Sequence, residues 1–198
     1  MEVQKQKVLE ALENKDCGYF YEAEQSNFSK IPGSPIAYWL SKNVFSSFEM
    51  EKISKYISPR IGLVTGDTER FLRLWFEVNN EKIFWSCTNN TEAKESGAKW
   101  FPYQKGGAYR KWYGNNEYII NWENDGWECK NDNYSGTRVK SHNYNGEYAF
   151  KKAITWTKIS SGSFACRYVP NGFMFDDAGP ICTVSENNLH YSLAIPLL

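Results

Sequence analysis

Lys99-Trp-Phe-Pro-Tyr-Gln-Lys-Gly-Gly-Ala-Tyr-Arg-Lys-Trp-Tyr113 carries six aromatic rings and four basic side chains, no acid, and a glycine pair at Gly106-Gly107. Rings on both sides of a flexible pair read as strand, turn and strand, a hairpin whose rings fill a core. Burial is the commoner fate of aromatic side chains. The same residues also compose a contact surface for a polyanion with stackable bases, because Lys and Arg neutralise phosphates while Trp and Tyr stack or wedge. The glycines suit either reading, as a simple turn or as a place where backbone approaches a ligand closely. This stretch alone leaves both readings open.

Outward from it, 198 residues suffice for one domain with a flanking piece, and for a sizeable core. Aromatic content of 17%, with Asn, Gly and Ser throughout, predicts a β-rich fold with many turns. Lys+Arg and Asp+Glu balance at 23 each, which excludes a uniformly basic nucleic-acid glove. The charge is segregated instead. Residues 115–132 hold Glu117, Glu123, Asp125, Glu128 and Asp132 against Lys130, whereas 138–158 hold Arg138, Lys140, Lys151, Lys152 and Lys158 against Glu147. Local fields, rather than net charge, steer a partner in such a chain.

The cysteines Cys17, Cys87, Cys129, Cys166 and Cys182 are odd in number and never form Cys-x-x-Cys, so reduced, mostly buried thiols in a cytoplasmic protein are expected. With only His142 and His190 besides, no metal site is expected. Met1 to Asp16 is charged and amphipathic and lacks the apolar run of a signal peptide or membrane span.

Val8, Leu9 and Leu12 share one face of a helix expected over 3–14, ended near Gly18, a short docking helix. Ser34-Pro35 supplies an N-cap and an N1 proline, and Ile36, Trp39, Leu40, Val44 and Phe48 then recur at helical spacing, which predicts a helix over about 35–48. From Phe71 to Val78 the period shortens to two, with Leu72, Leu74, Phe76 and Val78 facing one way, a half-buried strand. Further strands are expected over 82–87, 118–122, 153–159, 164–169 and 173–175, and loops over 88–97 and 131–146. The fold class is α+β: N-terminal helices over 1–50, a linker or docking segment, followed by a mainly antiparallel β-rich domain over 51–198.

Catalytic patterns are weak. Gly106-Gly107 lacks the strand-to-helix frame of an adenosine-cofactor loop. Asp67 with Glu92-Ala93-Lys94 only distantly matches a two-carboxylate metal nuclease, because Glu92 lies in a polar stretch that holds rigid geometry poorly. Asp176-Asp177 reads as a turn after the 173–175 strand rather than an acid/base dyad.

Four ordered blocks carry a resemblance: Ile31-Pro-Gly-Ser-Pro-Ile-Ala-Tyr-Trp39, Gly62-Leu-Val-Thr-Gly-Asp-Thr-Glu-Arg-Phe-Leu-Arg-Leu-Trp75, the opening stretch extended to Gly114, and Ile154-Thr-Trp-Thr-Lys-Ile-Ser-Ser-Gly162. From about Tyr19 to Gly179 the chain resembles the target-recognition region of PglX-like adenine-specific DNA methyltransferases of BREX phage-defence systems, and its Thr-Gly-Asp stretch is similar to the entry to recognition domains of single-chain restriction-modification enzymes. The resemblance implies a parent reaction, methyl transfer from S-adenosylmethionine to N6 of adenine in a defined DNA site. The family's Asn/Asp-Pro-Pro-aromatic motif is absent here, since the seven prolines are never adjacent. The chain also stops at Ala194-Ile-Pro-Leu-Leu198, and so is expected to be a truncated or separately encoded fragment with no cofactor of its own, not catalytic alone. Its expected partners are double-stranded DNA and a methyltransferase catalytic domain or chain, with no membrane.

The resemblance assigns phosphate contacts to Lys105, Arg110, Lys111, Lys158 and Arg167, with Thr65 and Arg70 from the Thr-Gly-Asp turn, and stacking to Trp112 and Tyr113. Against these stand Arg70 and Arg73 paired with Glu69 and Glu77 on a solvated surface, and Trp112 and Tyr113 buried beneath the hairpin. The contrasting functions are an aromatic-rich carbohydrate-binding β-sandwich and an inactive gene remnant.

Overall fold

The computed structural model describes residues 2–55, 57–132 and 139–183; Arg138, His190 and the 194–198 end lie outside them. The chain divides into two compact units, Met1–Lys55 and Tyr56–Leu198.

The first unit contains α1 (Glu2–Glu13), α2 (Gln25–Phe28) and α3 (Lys42–Ser47). Along α1, Val8, Leu9 and Leu12 are all exposed. Ile31, Ala37 and Phe45 form a small core against which Phe28 and Leu40 pack. The helix expected over 35–48 does not form as one piece: only Lys42–Ser47 is helical, with Ser41 as its N-cap. Gly33 and Ser34 take left-handed backbone, with φ of 83° and 46°, whereas an N-cap needs extended backbone. The Leu40 N–H then bonds the Ala37 carbonyl at 3.2 Å, a turn that brings Ala37 and Phe45 into one cluster and leaves Ile36 and Trp39 exposed.

The second unit is built on β1 (Leu63–Val64), α4 (Thr68–Phe71), β2 (Leu72–Leu74), α5 (Asn90–Glu95), β3 (Trp100–Gln104), β4 (Tyr118–Asn121), α6 (Glu123–Lys130), β5 (His142–Asn143), β6 (Ala153–Trp156), β7 (Cys166–Val169), β8 (Met174–Phe175) and β9 (Ile181–Thr183). These make a four-stranded sheet in the order β2-β4-β3-β8, a three-stranded sheet β7-β6-β9 and the pair β1-β5. All pairings are antiparallel except β3 with β8. The architecture is α+β, as composition and periodicity predict.

The opening stretch does begin a hairpin, with Phe101 opposite Ile120 and Tyr103 opposite Tyr118. Leu72 meets Ile120 from the other side, so Leu72, Ile120 and Phe101 form one cross-strand row of the main core. Phe101 packs between Phe84 and Phe150, at ring centroid distances of 5.9 and 5.7 Å.

Four segments differ from the expected elements, one of them the loop expected over 131–146, which holds β5 with His142 opposite Val64 of β1. The strand expected over 71–78 ends at Leu74, where the Glu77 carboxylate accepts the Leu74 N–H at 2.6 Å and closes a 3-10 turn over Trp75–Glu77. The strand expected over 82–87 reduces to a single bridge between Ile83 and Trp100. The polar stretch 88–97 is no loop but holds α5: Asn89 accepts the Glu92 N–H at 2.9 Å, and the Glu92 carboxylate accepts the Thr88 N–H at 2.8 Å. Asn89-x-x-Glu92 is the spacing of a capping box, and it overrides the polar composition. Asn89→Ala should cost about 1 kcal/mol, read from the midpoint of urea unfolding.

Candidate nucleic-acid interface

Residues 105–117 connect β3 to β4, and they are too long for a tight turn. They are pinned along their length instead. Gly106 has φ of 82° and lies so close to the next layer that a Cβ there would sit 2.7 Å from the Ala178 carbonyl oxygen. The Gly107 carbonyl accepts the Thr157 hydroxyl at 2.9 Å, and the Ala108 carbonyl accepts the Asn115 amide at 3.0 Å. At Trp112 the loop joins β7: its N–H donates to the Cys166 carbonyl at 2.9 Å, and its carbonyl accepts the Tyr168 N–H at 2.8 Å. Trp112 holds this place with φ of 77°, an outlier for a bulky residue.

The backbone is fixed while the side chains project. Tyr109, Trp112 and Tyr113 are 60%, 51% and 62% exposed, so the second half of the opening stretch is surface, not core. Burial of Trp112 and Tyr113 beneath the hairpin is thereby corrected: the bonds to β7 hold this part of the loop on the outer side. The Lys111 ammonium lies 4.8 Å from the Trp112 ring centroid and has no carboxylate partner among the described residues. Arg110 is paired only loosely, at 3.8 Å from Glu117. Lys105, half-buried at the loop's root, reaches the Thr68 hydroxyl at 3.5 Å and lies 5.4 Å from the Tyr118 ring centroid. Tyr109 belongs with these residues; only its place in the ring-and-cation run signalled it.

The remaining sequence-stated candidates are placed differently. Lys158 is held by Asp177 at 2.9 and 3.0 Å. Thr65 is buried, its hydroxyl 3.5 Å from that of Thr68. Arg70 does not pair with Glu69 but grips Glu128 at 2.6 Å and Asp132 at 2.7 Å, and this hydrogen bond holds the Glu128 carboxyl below its ordinary range. Arg73 donates to the Glu69 and Leu72 carbonyls rather than to a carboxylate. Arg167 is 1% exposed beneath the loop, donating to the Arg110 carbonyl at 3.5 Å and the Thr157 hydroxyl at 3.3 Å.

Asp67 and Glu92, the carboxylates of the nuclease pattern, serve as caps of α4 and α5. Among the described residues no cluster suited to a metal ion occurs. Gly106-Gly107 leads into the pinned loop, not into a helix. Among the described residues no helix is long and apolar enough to cross a membrane. None of the five cysteines is in a disulfide, and burial pushes the Cys129 and Cys166 thiols up to about 11, which keeps them protonated and inert.

Asp176 begins the expected turn, but its carboxylate also supports the root of the loop. It accepts the Tyr103 hydroxyl at 2.7 Å and the Ala178 N–H at 2.7 Å, while its own N–H donates to the Gln104 carbonyl. Burial raises its pKa above the ordinary 3.8. The folded state therefore binds the proton more tightly than the unfolded chain. Its stabilising contribution is complete below pH 3.8 and is lost as pH rises through the raised folded value. Asp176→Asn keeps both bonds, with Oδ1 accepting from Ala178 and the amide donating to Tyr103, whose hydroxyl turns to the Leu63 carbonyl at 3.1 Å. The variant should gain stability relative to wild type at pH 7 and lose that gain at pH 3.5, measured as Tm at both pH values.

Two relatives align with this chain. PglX of Lacticaseibacillus casei (strain Zhang), an adenine-specific methyltransferase, is 47% identical over 181 residues, covering 88% of this chain and 15% of that protein. The chain matches one segment of the PglX-like adenine-specific methyltransferases. BrxX of Escherichia coli O9:H4 (strain HS), also an adenine-specific methyltransferase, is 40% identical over 177 residues, covering 88% of this chain and 13% of that protein. This PglX-like segment thus spans about one seventh of the length of its curated relatives. No protein-family model matches it.

Proposed function

We propose that this PglX-like segment is a DNA-recognition element of an adenine-N6 DNA methyltransferase serving phage defence of the BREX or restriction-modification type, and that its surface engages duplex DNA while a separate catalytic domain or chain performs methyl transfer. The observation that carries the reading is the loop 105–117: exposed Arg110, Lys111, Trp112, Tyr113 and Tyr109 on a backbone pinned to the fold by hydrogen bonds. A backbone that is already fixed is not ordered anew when its cations meet phosphates, and phosphate contacts set the register of a protein on a duplex. Adenine-specific methyltransferases among the relatives make DNA the polyanion of choice. S-adenosylmethionine belongs, on this reading, to the catalytic partner. The sugar-platform alternative calls for rings on a flat, uncharged face, whereas these rings stand among cations on a loop.

Fluorescence anisotropy of a labelled mixed-sequence duplex, titrated with the chain at low and physiological salt, tests the reading. Binding should weaken steeply with salt. A folded chain without affinity for the duplex at low salt would overturn it.

A further inference from the structure

Arg167 is a buried cation without a counter-charge among the described residues. It is 1% exposed, its Nε has no hydrogen-bond partner, and no carboxylate lies within ion-pair distance among the described residues. The acid whose field reaches it, Glu117, lies nearest Arg110, and the neighbouring Cys166 is a protonated thiol. A guanidinium taken out of water and given only a carbonyl and a hydroxyl is costly, and proteins normally pair such a group.

The side chain is also not enclosed by apolar packing alone. Together with Thr157, Ser160, Ser163, Tyr109 and Phe164, it lines a small pocket of about 30 Å³ between the loop 105–117 and the turn that joins β6 to β7. That space takes one water-sized atom. The polar side chains around it are hydroxyls and a cation, with no acid, and Tyr109 and Phe164, both more than half exposed, form its rim.

We propose that this pocket is an anion subsite that receives one oxygen of a phosphate group, with Arg167 as the fixed positive charge at its floor and the Ser160 and Ser163 hydroxyls as donors at its mouth. On the DNA-recognition reading, on which the identity of the anion rests, the phosphate is a backbone phosphodiester of the duplex. Its arrival supplies the counter-charge that the described residues lack. The exposed cations Arg110 and Lys111 and the half-buried Lys105 attract the duplex over a distance, whereas Arg167 sets where one phosphate comes to rest. Charge-assisted bonds from a fixed fork position an anion more sharply than a mobile surface lysine does.

The test uses the full chain with its Arg167→Gln and Ser163→Ala variants. Each is titrated with sodium phosphate against sodium chloride at equal ionic strength while Tm is followed, and each is titrated with the labelled duplex at several salt concentrations. Phosphate should raise the Tm of wild type above the chloride control by more than it does for Arg167→Gln, with Ser163→Ala between, the rise common to all three being the general salting-out effect of phosphate. Arg167→Gln should bind the duplex several-fold more weakly, with a salt slope shallower by about one. A residue that only latches the loop lowers the variant's Tm in both salts alike and leaves the slope unchanged. That result, or an equal response of wild type to phosphate and chloride, overturns the subsite even where duplex binding persists. A phosphate response larger in wild type than in Arg167→Gln, without any duplex affinity, upholds the subsite and sinks the DNA reading instead. Should Arg167→Gln fail to fold, the exposed Ser163→Ala carries the same two readouts.

Discussion

Replacing Lys105, Arg110 and Lys111 together with alanine is expected to weaken duplex binding about a hundredfold at physiological salt. Each phosphate contact releases counterions and steepens the fall of log K with log salt by about 0.9, so three contacts amount to ~2 decades between about 1 M and 0.15 M salt. The salt slope of the variant should be shallower by about three, which distinguishes lost phosphate contacts from a general loss of structure. Stability should change little. Arg110 and Glu117 lie 3.8 Å apart with half of each side chain in water, a pair worth about 0 to 1 kcal/mol, Lys111 lies over the Trp112 ring, and Lys105 makes a 3.5 Å contact with the Thr68 hydroxyl and a weak contact with the Tyr118 ring. Anisotropy at four or more salt concentrations, with circular dichroism of both proteins, checks this. An unchanged slope would remove these side chains from the interface.

Phe101→Ala is the other change with a large expected effect, and it acts entirely through stability. The ring is fully buried in the main core between Phe84 and Phe150, and on β3 it stands opposite Ile120. Truncation removes the ring's transfer energy and leaves a cavity between two side chains that the sheet holds apart, a cost of about 3 to 5 kcal/mol. Against a typical domain stability of roughly 5 to 15 kcal/mol, this removes from about a fifth to all of the stability, and the urea midpoint should fall in the same proportion. Because β3 runs directly into the loop, duplex binding should fail at the same urea concentration at which the fold fails. A loss below 1 kcal/mol would contradict the packing described here.

These two predictions concern the same fifteen residues, and they mark what local pattern conveys. The rings ahead of Gly106-Gly107 marked a strand whose side chains fill a core, and Phe101 and Tyr103 are buried in one, because aromatic side chains in a strand offset the cost of their ordering by burial. Asn89 with Glu92 held the start of α5 in equally local form, as a cap spacing overlooked beneath a polar composition. The helix expected over 35–48 shows the reverse. Its apolar spacing was helical, yet left-handed Gly33 and Ser34 and the clustering of Ile31, Ala37 and Phe45 took precedence, since a short helix gains its stability from what its face can bury. The Arg70 grip on Glu128 and Asp132 was likewise invisible, its partners lying far along the chain from the neighbouring acids that spacing proposed.

By itself the sequence determined the α+β class, the strands near 100–104 and 118–121, the segregation of charge and the likeness to adenine-specific methyltransferases, all of which are written in composition, short-range period or ordered blocks of residues; the hairpin it placed within 99–113, with its turn at Gly106-Gly107, instead closes through the loop 105–117 onto β4. Only the tertiary structure decided that Tyr109, Trp112 and Tyr113 face water while Phe101 and Tyr103 do not, and that Arg167 lies buried beneath the loop rather than on its surface. The reason is that the loop's path is set by hydrogen bonds from Trp112 to Cys166 and Tyr168 and by the close approach of Gly106 to Ala178, contacts between segments that no local propensity brings together.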